Sequence, residues 1–209
     1  MTFRRSIAVV ATLGALLACS DNPADPLGPG EGRIALRLTD APFPLDDVES
    51  IDVFVVRVEA KLGATTEAEA DADVESESDA AEDGWIVLAS PNAAFDLMTL
   101  QGGVSVPLGD AAVEAGTYRS IRLILDTELS SVTLKDGMIL TGVSSPSILF
   151  PSAGKTGIKV LFDTPIEVEA GVTTDVLVDF DAEESFVLRG NTILQNGLLF
   201  RPVIHASIL

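Results

Sequence analysis

One cysteine, one histidine, one tryptophan and one tyrosine are all that 209 residues hold of those types. The single cysteine, Cys19, can form no disulfide within the chain. The single histidine, His205, and the absence of a G-x-S-x-G nucleophile elbow leave little basis for hydrolytic chemistry of the serine type. Positive charge is scarce as well, with 13 Lys and Arg against 32 Asp and Glu and a formal net charge of −19. A chain so acidic is repelled by nucleic acid and by anionic head groups, so nucleic acid is set aside as a partner. Trp85 and Tyr118 are the only large polar aromatics, too few for the usual stacking platforms of a sugar site. A transmembrane anchor needs roughly 18 or more apolar residues. The apolar run Ile7–Leu17 is shorter and is broken by Thr12 and Gly14.

That run follows Arg4 and Arg5 and has the layout of a secretion signal. It ends in Leu16-Leu17-Ala18-Cys19. A leucine three places before a cysteine, with a small residue directly before it, resembles the lipobox of bacterial lipoproteins. The resemblance implies cleavage before Cys19 and lipidation of Cys19, and two acyl chains suffice for stable anchoring. Ser20 after the cysteine leans toward the outer rather than the inner membrane, by resemblance to the sorting habit of enterobacterial lipoproteins. The domain plan is then a signal peptide over 1–18, a Pro- and Gly-rich flexible tether over 19–31, and a folded domain over 32–209. At this size a chain buries about 70% of the surface its unfolded form exposes. A core is available without disulfides or a structural metal.

From Arg33 onward the pattern is period-two alternation cut by turn signals. Ile34, Leu36 and Leu38 share a face, as do Ile121, Leu123 and Leu125, then Ile158, Val160 and Phe162, then Val176, Val178 and Phe180. Ile51–Val58 is apolar on both faces, as a central strand covered on both sides would be. No window beyond the signal holds a helical stripe over three turns. The expected fold is an antiparallel β-sandwich of immunoglobulin-like or transthyretin-like type. Pro202, inside Leu198–Ile208, marks an edge or bulge. Residues 63–84 break the pattern with nine acids (Glu67, Glu69, Asp71, Asp73, Glu75, Glu77, Asp79, Glu82 and Asp83) and no base. This stretch is expected to be a disordered insertion between two strands.

Five strings in order carry a family resemblance: Leu38-Thr39-Asp40-Ala41-Pro42, Phe95–Leu100, Gly116–Leu123, Gly157-Ile158-Lys159, and Asp179-Phe180-Asp181 with Ser185. Behind a lipobox, this order resembles the bacterial lipoprotein family called domain of unknown function 4382, over roughly Gly32–Ile204. The resemblance implies an envelope β-domain and supplies no activity. The acidic insertion departs from it, falling where a shorter connection is typical.

Asp40 continues the inward series of Ile34, Leu36 and Leu38, just before Ala41-Pro42. Its carboxylate either closes an Asx-type turn or serves as a cation ligand. Asp175, Asp179 and Asp181 share the opposite face from Val176, Val178 and Phe180, where neighbours two apart stand roughly 7 Å from one another. They form a solvated face with a turn at Asp181, or they join Asp40 or Asp96 around a hard cation such as Ca²⁺. Asp71, Asp73, Glu75, Asp79 and Glu82 match EF-hand ligand positions, but Ser76 replaces the turn glycine and no flanking helices are evident. Trp85 is expected to anchor the strand after the insertion, and Tyr118 to pack at a strand entrance and bond a backbone group. The functional expectation is a lipid-anchored envelope protein acting as a non-catalytic binding or structural module. No cofactor other than Ca²⁺ is implied, and the partners are the membrane, through the lipid, and an envelope protein or glycan. A Ca²⁺-dependent adhesion or ligand-binding module and a hydrolase of envelope polymers are the two alternatives.

Overall fold

The computed structural model describes residues 26–41, 47–63, 84–151 and 157–209, the side chains of Leu161 and Asp163 excepted. The signal segment, Cys19, the first part of the tether and the acidic insertion lie outside the described residues. Within them, alternating apolar residues form strands wherever the turn signals leave room. The first is β1 (Glu31–Asp40), followed by β2 (Val48–Leu62), β3 (Trp85–Ala89) and β4 (Ala93–Asp96). Next come β5 (Val106–Glu114), β6 (Gly116–Leu134), β7 (Ile139–Leu140), β8 (Ile148–Leu149) and β9 (Ile158–Val168). The chain closes with β10 (Thr173–Phe180), β11 (Phe186–Leu188), β12 (Leu198–Phe200) and β13 (Ile204–Ile208). The only α-helices among the described residues are two single turns, α1 (Ala182–Ser185) and α2 (Ile193–Asn196).

Two sheets carry the fold, as the sandwich expectation required. The first has the order β13-β10-β1-β5. The second has the order β3-β2-β6-β7, with β4 also pairing β2 and β9 also pairing β6. The two long strands β2 and β6 form its spine. Each takes two shorter partners in succession, and each accommodates them by bulging. Along both borders the sheets come together, β3 beside β5 and β13 beside β9. Gly109 permits one of these approaches, since a Cβ there would lie 2.7 Å from that of Ala89 and its φ is +139°. Most ladders are antiparallel, but β1 pairs β10 in parallel and β12 pairs β8 in parallel. No hairpin links β1 to β10. The whole second sheet intervenes in sequence, so no tight turn dictates their direction.

The facing sides supply one core. Ile34, Leu36 and Leu38 of β1 and Val176, Val178 and Phe180 of β10 meet Ile51, Val53 and Val55 of β2 and Ile121, Leu123 and Leu125 of β6. Full burial of each such side chain contributes roughly 1.5–3 kcal/mol. The sequence pattern suggested cover on both faces of Ile51–Val58; only the inner face is buried, while Phe54, Val56 and Arg57 are half-exposed. Bulges in the β2–β6 ladder place Val55 and Val58, three apart, on the same inner face, so a run of apolar letters need not mean two covered faces. A small third sheet, β11-β12-β8, is held to the end of the first by Phe200. The Phe200 ring lies 5.0 Å from Phe186, 5.2 Å from Phe150 and 6.2 Å from Phe180. Pro202 falls between β12 and β13 and splits the expected last strand between two sheets.

Tyr118 behaves as its position suggested. It is fully buried at the start of β6, and its hydroxyl donates to the Glu114 carbonyl at 2.8 Å. Burial raises its phenol pKa, and the Glu114 carboxylate adds to that. Tyr118→Phe removes one buried donor and leaves a carbonyl short of a partner, at a cost of about 1 kcal/mol. Thermal unfolding of the variant should therefore fall by roughly 2–4 °C; an unchanged midpoint would show that the bond adds nothing net.

Candidate functional site

The carboxylates singled out in sequence gather at one end of the first sheet, where β1 and β10 run side by side. Their parallel register pairs Thr39 with Asp179 and Asp40 with Phe180. Side chains alternate across a sheet, so Asp40 points inward with Phe180 and Asp179 points outward with Thr39. Asp40 is 3% exposed. The chain turns at Asp181 into α1, and that turn is clamped to the approach of β13. Asp181 N donates to the Val203 carbonyl at 3.0 Å, and Ser185 Oγ accepts from Val203 N at 2.8 Å.

The clamp aims the first N–H groups of α1 back at the sheet. Asp40 Oδ1 accepts from Ala182 N at 3.0 Å, and Asp181 Oδ1 accepts from Glu184 N at 2.8 Å. Two carboxylates, one at the end of β1 and one just past the end of β10, thus cap one helical turn whose leading N–H groups have no helical acceptors. Asp181 is the turn-former the sequence suggested. Asp40 does accept a backbone N–H, but from a residue 142 positions away rather than from its own turn. Asp96 is spent in the same manner, its Oδ1 accepting from Met98 N at 3.0 Å and Ile51 N at 3.2 Å.

Two oxygens remain. Asp40 Oδ2 and Asp179 Oδ1 are buried without a hydrogen-bond partner among the described residues. Burial pushes the Asp40 pKa up to about 7. The Ala182 N–H and the Gln101 amide pull against that shift, and the charges of Asp179 and Asp181 add to it. Asp179 is also raised, chiefly by burial; His205 opposes the rise and Asp181 reinforces it. His205 stands directly across the β10–β13 ladder from Asp179. Asp179 and His205 are therefore neighbours on the outer face, with Asp40 on the inner face and Asp181 committed to α1. Asp175 is exposed further down β10. Among the described residues no three His, Cys, Asp or Glu side chains stand together as a metal ion would need. The EF-hand-like acids lie outside the described residues.

A second charged centre escaped the sequence reading. Glu59, in the middle of β2, is fully buried on the outer side of the second sheet. Its Oε1 accepts from Arg57 Nε at 2.6 Å, and its Oε2 is ion-paired with Arg122 of β6. Arg122 in turn lies over the Trp85 ring, 4.5 Å from the centroid, with Lys61 Nζ at 5.9 Å. Trp85 thus anchors the start of β3 through cation–π contacts as well as apolar area. The available signal was the spacing Arg57, Glu59, Lys61, which puts three charges on one strand face.

Fold and site together define a two-sheet, all-β sandwich with a carboxylate-capped corner and a cationic outer face. A family model described as a domain of unknown function (DUF4382) matches residues 31–197, and the chain belongs to that family. The match opens on the first residue of β1 and takes in Asp40, Glu59, Trp85, Asp179 and Asp181; His205 falls beyond it. No curated protein and no solved structure matches the chain.

Proposed function

We propose that the chain is a lipid-anchored cell-envelope protein whose sandwich is a binding or structural module without chemistry of its own. One observation carries this reading: Leu16-Leu17-Ala18-Cys19 closes an apolar run that starts just after Arg4 and Arg5. The position of the fold suits it. Ordered backbone is in place by the turn in which Glu31 N donates to the Gly28 carbonyl at 3.1 Å. The intervening chain from Cys19 spans at most roughly 30 Å. Lipid on Cys19 would hold the sandwich close to the bilayer surface. Among the described residues no helix is long and apolar enough to cross a membrane. The capping roles of Asp96 and Asp181 give these acids structural work, which favours a module over a hydrolase.

The test is metabolic labelling with an alkyne fatty acid in a bacterial host, followed by membrane fractionation. Wild type should be labelled and sediment with membranes. Cys19→Ala should be unlabelled and retain the higher mass of the uncleaved chain. A wild type that carries no label and matures at the same mass as Cys19→Ala would refute lipid anchoring.

A further inference from the structure

One half of the outer face of the second sheet gathers positive charge on a chain that is otherwise strongly acidic. The β2–β6 and β6–β9 registers align Lys61 with Ser120, and Glu59 with Arg122 and Lys159, while Arg57 stands opposite Ile124. Arg119 is the extra residue of a bulge between Tyr118 and Ser120, and its side chain lies beside Gly63 at the same end of the face. Arg57, Lys61, Arg119, Arg122 and Lys159 therefore crowd one half of one sheet face, drawn from a total of 13 Lys and Arg. Among the described side chains the carboxylate in their midst, Glu59, is buried and already shared by Arg57 and Arg122. Lys61, Arg119 and Lys159 have no carboxylate partner among the described residues. Glu167, beyond the bulge, accepts from Thr117 at 2.8 Å. At the other end the same face turns acidic, with Asp52, Asp96 and Asp126.

We propose that this face binds an acidic polysaccharide, its carboxylates paired by Lys61, Arg119 and Lys159. Three cations without a described carboxylate partner on neighbouring strands repel one another, and a polymer bearing regular negative charge relieves that repulsion along its length. Apolar surface stands next to them. Val87 is 47% exposed and Trp85, with Arg122 over its ring, is half-exposed, offering apolar contact to the C–H groups of sugar rings. A membrane of anionic lipid fits less well. It presents charge over a plane wider than the patch and would bring the acidic flank of the same face against it. Charges separated by more than about 10 Å are screened at ordinary ionic strength, so the patch acts on what touches it despite the net charge of −19. The proposal takes the sandwich to be a binding module but does not depend on lipidation. It is read on purified protein, so its failure and that of the Cys19 labelling are separate results.

The experiment is a calorimetric titration of the purified protein with polygalacturonate, a linear uronate polymer, in about 50 mM and about 500 mM NaCl. Dextran serves as the neutral control and phosphatidylglycerol vesicles as the anionic surface. Nine carboxylates lie in sequence between Gly63 and Gly84. A second form with these neutralised to Asn and Gln is titrated in parallel, and binding by either form counts. The expected result is binding to polygalacturonate that disappears at high salt, with none to dextran. Lys61→Glu combined with Lys159→Glu should weaken binding at least about tenfold with the thermal midpoint held. Lys135→Glu, away from this face, should leave it unchanged. The proposal falls if neither form binds, if the double variant binds as wild type does, or if the vesicles are bound and the polymer is not.

Discussion

Glu59→Gln should destabilise the sandwich by about 3–5 kcal/mol, the largest effect of any single charge change in this chain. The carboxylate is fully buried between two arginines, and Arg122 retains only 18% side-chain exposure. Glutamine keeps the shape but removes the negative charge. The Arg122 guanidinium is then left half-desolvated, with the Trp85 ring as its main counterpart. Arg57 is 36% exposed and can turn to water, so Arg57→Gln should cost no more than about 1 kcal/mol. For a domain of this size the first change lowers the thermal midpoint by roughly 6–20 °C and the second by a few degrees.

Two readouts separate this from generic damage. Trp85 is the sole tryptophan, so its fluorescence reports Arg122 directly; Glu59→Gln should shift the emission while Arg57→Gln should not. Replacing both partners, Glu59→Leu with Arg122→Met, should recover most of the loss, because an apolar pair carries no desolvation cost to offset. Equal small losses from Glu59→Gln and Arg57→Gln would mean that water already reaches the carboxylate. The cationic face would then have no buried centre.

The alternation in Ile34–Leu38, Ile121–Leu125 and Val176–Phe180 revealed the sandwich because each strand has one buried side and period two is a local property. The parallel pairing of β1 with β10 was not legible. It depends on where two strands separated by the second sheet come to rest, and no turn residue encodes that. Asp40 shows the same division. Its inward direction followed from the alternation, but its partner is an N–H just past the end of β10, reachable only once the register is fixed. The turn at Asp181 was legible, but not that it opens α1, with Asp181 capping the helix just past the end of β10 at Phe180. Glu59 and the cationic face were hidden by composition. A net charge of −19 averages over the surface, whereas the registers of β2, β6 and β9 collect five of the few positive residues in one place.

Asp40→Asn should make the protein more stable at pH 8 and leave it nearly unchanged at pH 4.5. In the folded chain the Asp40 pKa is pushed up to about 7 from an ordinary 3.8, burial being the main cause. A raised carboxyl pKa means that the folded state holds the proton more tightly than the unfolded state does. The associated stability is fully present below about pH 4 and is lost as the pH climbs toward 7. The unrelaxed ceiling on that loss is about 4 kcal/mol, at 1.36 kcal/mol per pKa unit. Side-chain relaxation and water entry bring the expected value nearer 2 kcal/mol, or roughly 4–8 °C in the midpoint. Asparagine can still accept from Ala182 N and carries no charge for Asp179 and Asp181 to repel, so its pH profile should be flatter than that of wild type between pH 5 and 8. Comparison with Asp175→Asn, an exposed site on β10, removes the general effect of lowering a large negative charge. If Asp40→Asn instead destabilised the fold equally at both pH values, the carboxyl would be serving as a hydrogen-bonding group alone. A rise in the wild-type midpoint with millimolar Ca²⁺ at pH 8, absent in Asp40→Asn, would give a third answer. The free oxygen of Asp40 would then hold a cation, and the burial that raises its pKa would be relieved by the ion rather than by a proton.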